Sequence, residues 1–373
     1  MDFTNFDIDE LMGMSDDSNP LMMLLWILPV IILIFYGQRI QLFITSGEIK
    51  KSIDKLNLFR DESKKELLSY LKNNLKSTSN IESRLDKLFE YFTIMPVDID
   101  PNGIMPKINH LVRSREDYTR NQIILLFDGI DRVNITKIQN LVEIVTTLQL
   151  MYKVTRHLFL TAKKQKNFPL ILPLQMMIPF VMEEAKALKD AVSSIEQGQP
   201  IGDGIGPMVV AEMMKNTIKQ QITFETVWSE SEFEGRKLLL VKAEGPYSTV
   251  GRLGEATKLI IEKSRPDMII MIDAALKLEG EKSAEIAQGF GAAMGGIGTE
   301  RFQIEEIATK NKIPVFAIVI KQSIKEAMTL MTKEIAEKAI SVKSDIHNMI
   351  RENSKSGQSI MVLGVGNTIG VSQ

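Results

Sequence analysis

From Leu21 to Tyr36 the chain reads LMMLLWILPVIILIFY, sixteen residues without a charge. A helix apolar on every side has to be covered, by protein or by lipid. At 1.5 Å per residue the run spans about 24 Å, against roughly 30 Å of bilayer hydrocarbon. Trp26, Phe35 and Tyr36 suit membrane interfaces, Arg39 can snorkel outward, and Pro29 is tolerated inside a membrane helix. The run therefore predicts one transmembrane helix over 21–36. Residues 1–20 carry Asp2, Asp7, Asp9, Glu10, Asp16 and Asp17 and no Lys or Arg, whereas a cleaved signal peptide needs a basic start. Arg39, Lys50, Lys51, Lys55, Arg60, Lys64 and Lys65 follow the run. The positive-inside rule then puts the N-terminus outside and the remainder in the cytoplasm, a single-pass protein of the cell membrane with the lipid bilayer as a partner.

The net charge of −2 provides no basic field for nucleic acid. With no cysteine, disulfides, thiolate catalysis and Cys-type zinc sites are excluded. His110, His157 and His347 lie far apart and form no metal-binding spacing.

Residues 37–195 read as a helical, membrane-proximal domain. Ile49, Ile53 and Leu56 form one stripe, Leu67, Leu68, Leu71 and Leu75 another, and Leu85, Leu88, Phe89 and Phe92 a third. These stripes either pair protomers into a homo-oligomer or pack within one chain; no strict heptad persists. Residues 95–106 are a proline-rich connection, and Ile135 to Leu158 keep helical spacing. Phe168 to Met182 (FPLILPLQMMIPFVM) is a second apolar run. Its prolines and shortness favour a buried or membrane-surface segment over a second span.

Over 196–373 short apolar runs alternate with helical ones. Leu238–Val241, Met268–Ile272, Pro314–Ile320 and Ile360–Leu363 read as strands. Met208–Lys219, Gly254–Lys263, Gln303–Lys310 and Ser323–Ile346 read as helices. The alternation predicts an α/β domain with a doubly wound, mostly parallel sheet. Ligands of such sheets bind beyond the carboxyl ends of the strands. Asp273 follows the second run directly, and Asp203 sits in a Gly-rich turn opening a helix. Two carboxylates sharing a site split into one acid and one base, the arrangement needed to activate water on an amide. The same pair could hold a divalent metal instead; these motifs require no other cofactor. Taken singly, Asp203 reads as a helix cap and Asp273 as a loop cap. Lys242 and Lys321 read as solvated strand ends. GVGNTIG, Gly364 to Gly370, has no helix after it and is no Rossmann turn, and Gly289 to Glu300 lacks the Lys of a P-loop. The latter reads as a flexible loop over the site.

Four motifs in order carry a resemblance: GDGIGPMVVAEMM, EGPYSTVGRLGEA, PDMIIMIDAA and GAAMGGIGTERFQIEEIATKNKIPVFAIVI. Over residues 200–373 they resemble the hydrogenase maturation proteases and the spore germination protease. In those families a strand with a GxGN turn precedes the first acid; here that element stands at the C-terminus, as IMVLGVGNTIGV. The resemblance therefore implies a circular permutation. It also implies that Asp203 and Asp273 match the two family acids, proposed as catalytic in the germination protease. In the maturation proteases the equivalent acids bind nickel together with a histidine, and no histidine of this chain matches. The whole chain is also similar to an archaeal single-pass membrane protein family of unknown function.

The resulting expectation is a membrane-anchored hydrolase-like protein acting on a protein or peptide substrate. Asp203 and Asp273 would carry the chemistry. Gly202, Gly204, Gly206, Gly245, Gly295, Gly296, Gly364, Gly366 and Asn367 would form the binding loops. The alternative is a non-catalytic, membrane-anchored scaffold that binds a ligand or peptide and oligomerises through its helical region.

Overall fold

A computed structural model describes residues 20–75, 81–91, 93, 103–127, 129–165, 168–296 and 298–372. The acidic N-terminus and most of the proline-rich connection lie outside these residues. The chain forms two compact units, residues up to Asp54 together with Val154–Pro179, and Lys55–Lys153 together with Phe180–Gln373.

The apolar run does not stand as a separate span. It opens α1 (Pro20–Asn74), which continues through the charged segment after Arg39. Among the described residues no helix is long and apolar enough to cross a membrane. This corrects the expected transmembrane helix, the single-pass topology and the placement of the two ends across a bilayer. The physical reason is length: sixteen apolar residues fall short of the roughly 30 Å core, and no break separates them from the polar helix. The second run, Phe168 to Met182, likewise opens a long helix, α5 (Phe168–Gln197), with Pro173 and Pro179 inside it.

In the first unit, Thr45, Ile49 and Ile53 of α1 are buried, as are Phe159, Ala162, Ile171 and Leu174. Thr45 Oγ1 donates to Gln175 Oε1 at 3.4 Å.

The second unit joins helices to a sheet. Its helical part comprises the rest of α1, α2 (Ile81–Phe89), α3 (Ile104–Leu126), and the adjoining parts of α4 (Arg132–Gln165) and α5. The stripes around Leu56, Leu67, Leu71 and Leu85 share one core with Ile138, Leu141, Val145 and Leu148, so the stripes pack within the chain. Ile201 and Ile369, from the sheet-bearing region, belong to the same core.

After a single 3-10 turn (Gly202–Gly204) come α6 (Ile205–Met213), β1 (Gln220–Thr223), β2 (Thr226–Phe233), β3 (Arg236–Ala243), α7 (Leu253–Ser264) and β4 (Met268–Leu276). There follow β5 (Ile286–Phe290), α8 (Thr299–Asn311), β6 (Val315–Gln322), α9 (Ile324–Met328), α10 (Lys333–Asn353) and β7 (Ser359–Gly364). The strand order is β1-β2-β3-β7-β4-β6-β5. Only the β3–β7, β7–β4 and β4–β6 pairs are parallel; the β1–β2, β2–β3 and β5–β6 pairs are antiparallel. The sheet is thus mixed, which corrects the mostly parallel expectation. At one edge of the sheet β1 (QQIT) and β2, with Ser229–Glu232 all polar, carry no continuous apolar run, as half-covered strands allow. The β2–β3 hairpin turns on Glu234 (φ 50°) and Gly235 (φ 72°), the two left-handed residues that a tight hairpin of matching twist requires.

Alternation along the four parallel strands explains the layers. Leu238, Leu240, Ile270, Ile272, Ile360 and Val362 pack with α6 and α10. Leu239, Val241, Ile269, Met271, Met361 and Leu363 pack with α7 and α8. A strand covered on both faces has to be apolar at every position, which is why these runs are continuous. Each such side chain gains roughly 1.5–3 kcal/mol from burial.

Candidate active site

The last strand lies at the centre of the sheet. Met361 pairs with Leu239 on one side and Ile269 on the other. Three backbone segments meet at its carboxyl end: the 3-10 turn bearing Asp203, β4 at Asp273, and the turn after Gly364. Val365 N–H donates to Ile272 O at 2.8 Å, and Asn367 N–H donates to Asp203 Oδ2 at 2.7 Å. Pairing of β4 with β7 ends at Ile272 and Gly364, one residue before Asp273. β4 itself runs on beside β6 to Leu276, so Asp273 lies inside its strand rather than at the end.

This meeting explains most of the glycines. At Gly206 a Cβ would strike the carbonyl oxygens of Val365 and Ile272, so only glycine lets the start of α6 lie on both strands. Gly366 has φ 130° and its Cβ would strike the Asp203 carbonyl, a conformation and a contact both reserved for glycine. Gly202, Gly204, Gly245 and Gly364 also abut backbone: Glu326 O, Asn367 O, Val371 O and Gly206 O respectively. These residues are close-packing positions. Gly295 and Gly296 are different, because space around them is open. Gly295 N–H bonds to the Asp273 carboxylate, which brings this loop against that acid.

Asp273 is 6% exposed. Burial holds its carboxyl well above the ordinary carboxylate range; the neighbouring Asp203 charge raises it further, while the Ala274 and Gly295 N–H groups act the other way. Burial also raises Asp203, against the Asn367 N–H. The Asp203 charge thus acts on Asp273. The N-cap of α6 is Gly204 rather than Asp203; the Asp203 oxygen accepts from Asn367 N–H instead. Among the described residues no third His, Cys, Asp or Glu joins the pair as a metal-binding group.

Neither lysine is a solvated end. Lys242 is fully buried, and burial, with the Lys219 charge, lowers it to about 8. Lys321 Nζ bonds Glu281 Oε1 at 2.6 Å, and this bond raises its pKa.

A cavity of about 390 Å³ stands apart from the two acids. It lies between α3, α4 and the 248–252 loop, and Asn367 lines it. Asp203 and Asp273 do not line it; Asn367, whose N–H Asp203 holds, links the two places. No local sequence signal marks this cavity, since its walls are brought together from six separate stretches of the chain.

Residues 23–198 match the family described as "Protein of unknown function (DUF1512) N-terminal domain". Residues 201–372 match "Domain of unknown function (DUF1512) C-terminal". The chain is also 26% identical over 170 residues to the germination proteases of Clostridium perfringens strains SM101 and 13, covering 43% of this chain and 50% of each relative. The chain thus spans about half the length of the curated relatives it matches. These matches name neither a membrane anchor nor an archaeal source.

Proposed function

We propose that this protein, whose two halves match the two domains of the DUF1512 family, is a peptidase-like hydrolase working through Asp203 and Asp273. The observation carrying the reading is geometric: at the carboxyl end of the central strands Asp273 is buried on β4, and Asp203 is held by the Asn367 N–H at 2.7 Å in the turn that follows the neighbouring β7. Asp273 is raised the more strongly and is the acid; Asp203 is the base. Ionised Asp203 takes a proton from water as the water oxygen bonds the amide carbon, and Asp273 gives its proton to the carbonyl oxygen. The tetrahedral carbon then collapses. The C–N bond breaks, the nitrogen takes the proton from Asp203, and a hydroxyl of the former carbonyl carbon returns one to Asp273. The Gly295 N–H, already on Asp273, keeps that carboxyl oriented. Similarity to germination proteases supports the reaction class. A cation held by two carboxylates would keep most of its ligands as water, and the steps above do not use one.

The position of β7 supports a permuted relation to the maturation and germination proteases, because the strand with the GxGN turn sits between β3 and β4 with its Asn367 N–H on Asp203.

The test is turnover of a proteome-derived peptide pool, followed by mass spectrometry. Asp203→Asn and Asp273→Asn should each lower cleavage by about 10²–10⁴-fold, the worth of a positioned acid or base. Cleavage unchanged in both variants would end the proposal. A second reading, a peptide-binding protein without catalysis, is favoured by the separation of the cavity from the two carboxyls. It expects peptide binding with no cleavage by the unmodified chain.

A further inference from the structure

We propose that the 390 Å³ cavity, tied to Asp203 through Asn367, is a subsite for the backbone of an extended peptide, read by Asn367 and Asn140. Both asparagines line it, and each is oriented by its other bonds. Asn367 Oδ1 accepts from Ile369 N–H at 2.9 Å and from Ser248 Oγ at 3.4 Å. A backbone N–H can bond only the oxygen of an amide, so this bond assigns the two ends of the Asn367 side chain. Its Nδ2 is left to donate. Asn140 is fixed the opposite way. Its Nδ2 donates to Thr136 O at 2.9 Å and to Ser248 O at 2.7 Å, which uses both hydrogens. Its Oδ1 is left to accept.

Ser248 holds the two together. Its N–H donates to Thr136 Oγ1 at 3.2 Å, its carbonyl takes Asn140, and its hydroxyl takes Asn367. The cavity therefore offers one fixed donor and one fixed acceptor, at a spacing set by a buried residue. That is the complement of a peptide unit, whose carbonyl accepts and whose N–H donates. The volume falls within the range of roughly 300–1,000 Å³ usual for ligand sites. The charged walls are largely self-neutralised, with Arg115 on Glu143 and Arg120 on Glu225, which suits a neutral backbone. Asn140 belongs to α4 and Asn367 follows β7, so the helical part shares in recognition. As a substrate subsite the cavity rests on the hydrolase reading; as a peptide-binding site it does not.

The experiment uses the full chain, ¹⁵N-labelled, titrated with N-acetyl-trialanine amide at millimolar concentration. A second ligand replaces one amide N–H of that peptide with an ester oxygen. The peptide should shift the side-chain amide resonances of Asn367 and Asn140. The ester, and the near-isosteric Asn367→Asp variant, should each bind roughly three- to ten-fold more weakly, the worth of one hydrogen bond. Resonances that stay still, or equal affinity in all three titrations, overturn the proposal. The ester comparison needs no variant, so a folding defect cannot imitate it. Discrimination against the ester without any cleavage by the unmodified chain would sink the hydrolase reading and leave this one standing.

Discussion

Asp273 shows how a residue's surroundings assign its role. Alone on a strand it would be an ordinary acid. Burial, and Asp203 beside it, keep its proton on above the usual range. Activity that needs Asp273 protonated and Asp203 ionised should follow a bell-shaped pH profile, with both limbs above ordinary carboxylate values; a rate profile across the acidic and neutral range checks this. Stability should respond as well. An acid whose folded pKa is raised binds its proton more tightly when folded, so stability falls as pH climbs from the unfolded value, 3.8, through the folded one. Asp273→Asn should therefore melt several degrees higher than the parent near neutral pH, and the gap should close towards pH 3.8. Lys242 has the opposite sign. Its folded pKa, about 8, lies below the ordinary 10.5. The folded state releases its proton first, so stability rises with pH between those two values. Lys242→Met should stabilise the chain at neutral pH, an advantage that fades above pH 10.5 in urea titrations.

At the scale of elements, the site depends on how closely α6 approaches the central strands. The start of α6 lies against Val365 O and Ile272 O at Gly206. Gly206→Ala would force α6 away and pull Asp203 from Asn367. We expect a loss of more than about 4 kcal/mol, in the range reserved for severe core lesions, measured by denaturant unfolding. The elements themselves were unequally legible. The four parallel strands stood out as continuous apolar runs because both their faces are covered. β1 and β2 did not, although Glu234-Gly235 marks the tight β2–β3 turn, since β1 is mostly polar and Ser229–Glu232 of β2 are four polar residues in a row. The expected helix Ser323–Ile346 is two helices. Ser323 starts the short one with a capping box to Glu326, and Thr332 caps the second, so the chain restarts between them.

For the molecule as a whole, the consequential contacts join the helical layer to the sheet within the second unit. Glu225 is 5% exposed and is met by Arg120 of α3 and by Arg132 of α4, the latter at 3.8 Å. Arg132 also bonds Glu244 at 2.6 Å. Removing both arginines leaves a buried charge unmatched, which should cost about 3–5 kcal/mol. Replacing Glu225 with Gln in the same background should recover most of it; thermal unfolding of the parent and the two variants decides.

The sequence by itself marked the two acids as candidates, the glycines around them and the covered strands, because each depends on local pattern: a carboxylate after an apolar run, glycine where backbones touch, an unbroken apolar run where both faces are covered. The tertiary structure alone decided the rest. It placed β7 at the sheet centre, brought Asn140 and Asn367 to one cavity, and buried Asp273; these depend on segments far apart in the chain. It also absorbed Leu21–Tyr36 into a 55-residue helix. An apolar run states only that it must be covered, and its length and continuation decide whether a bilayer can do so.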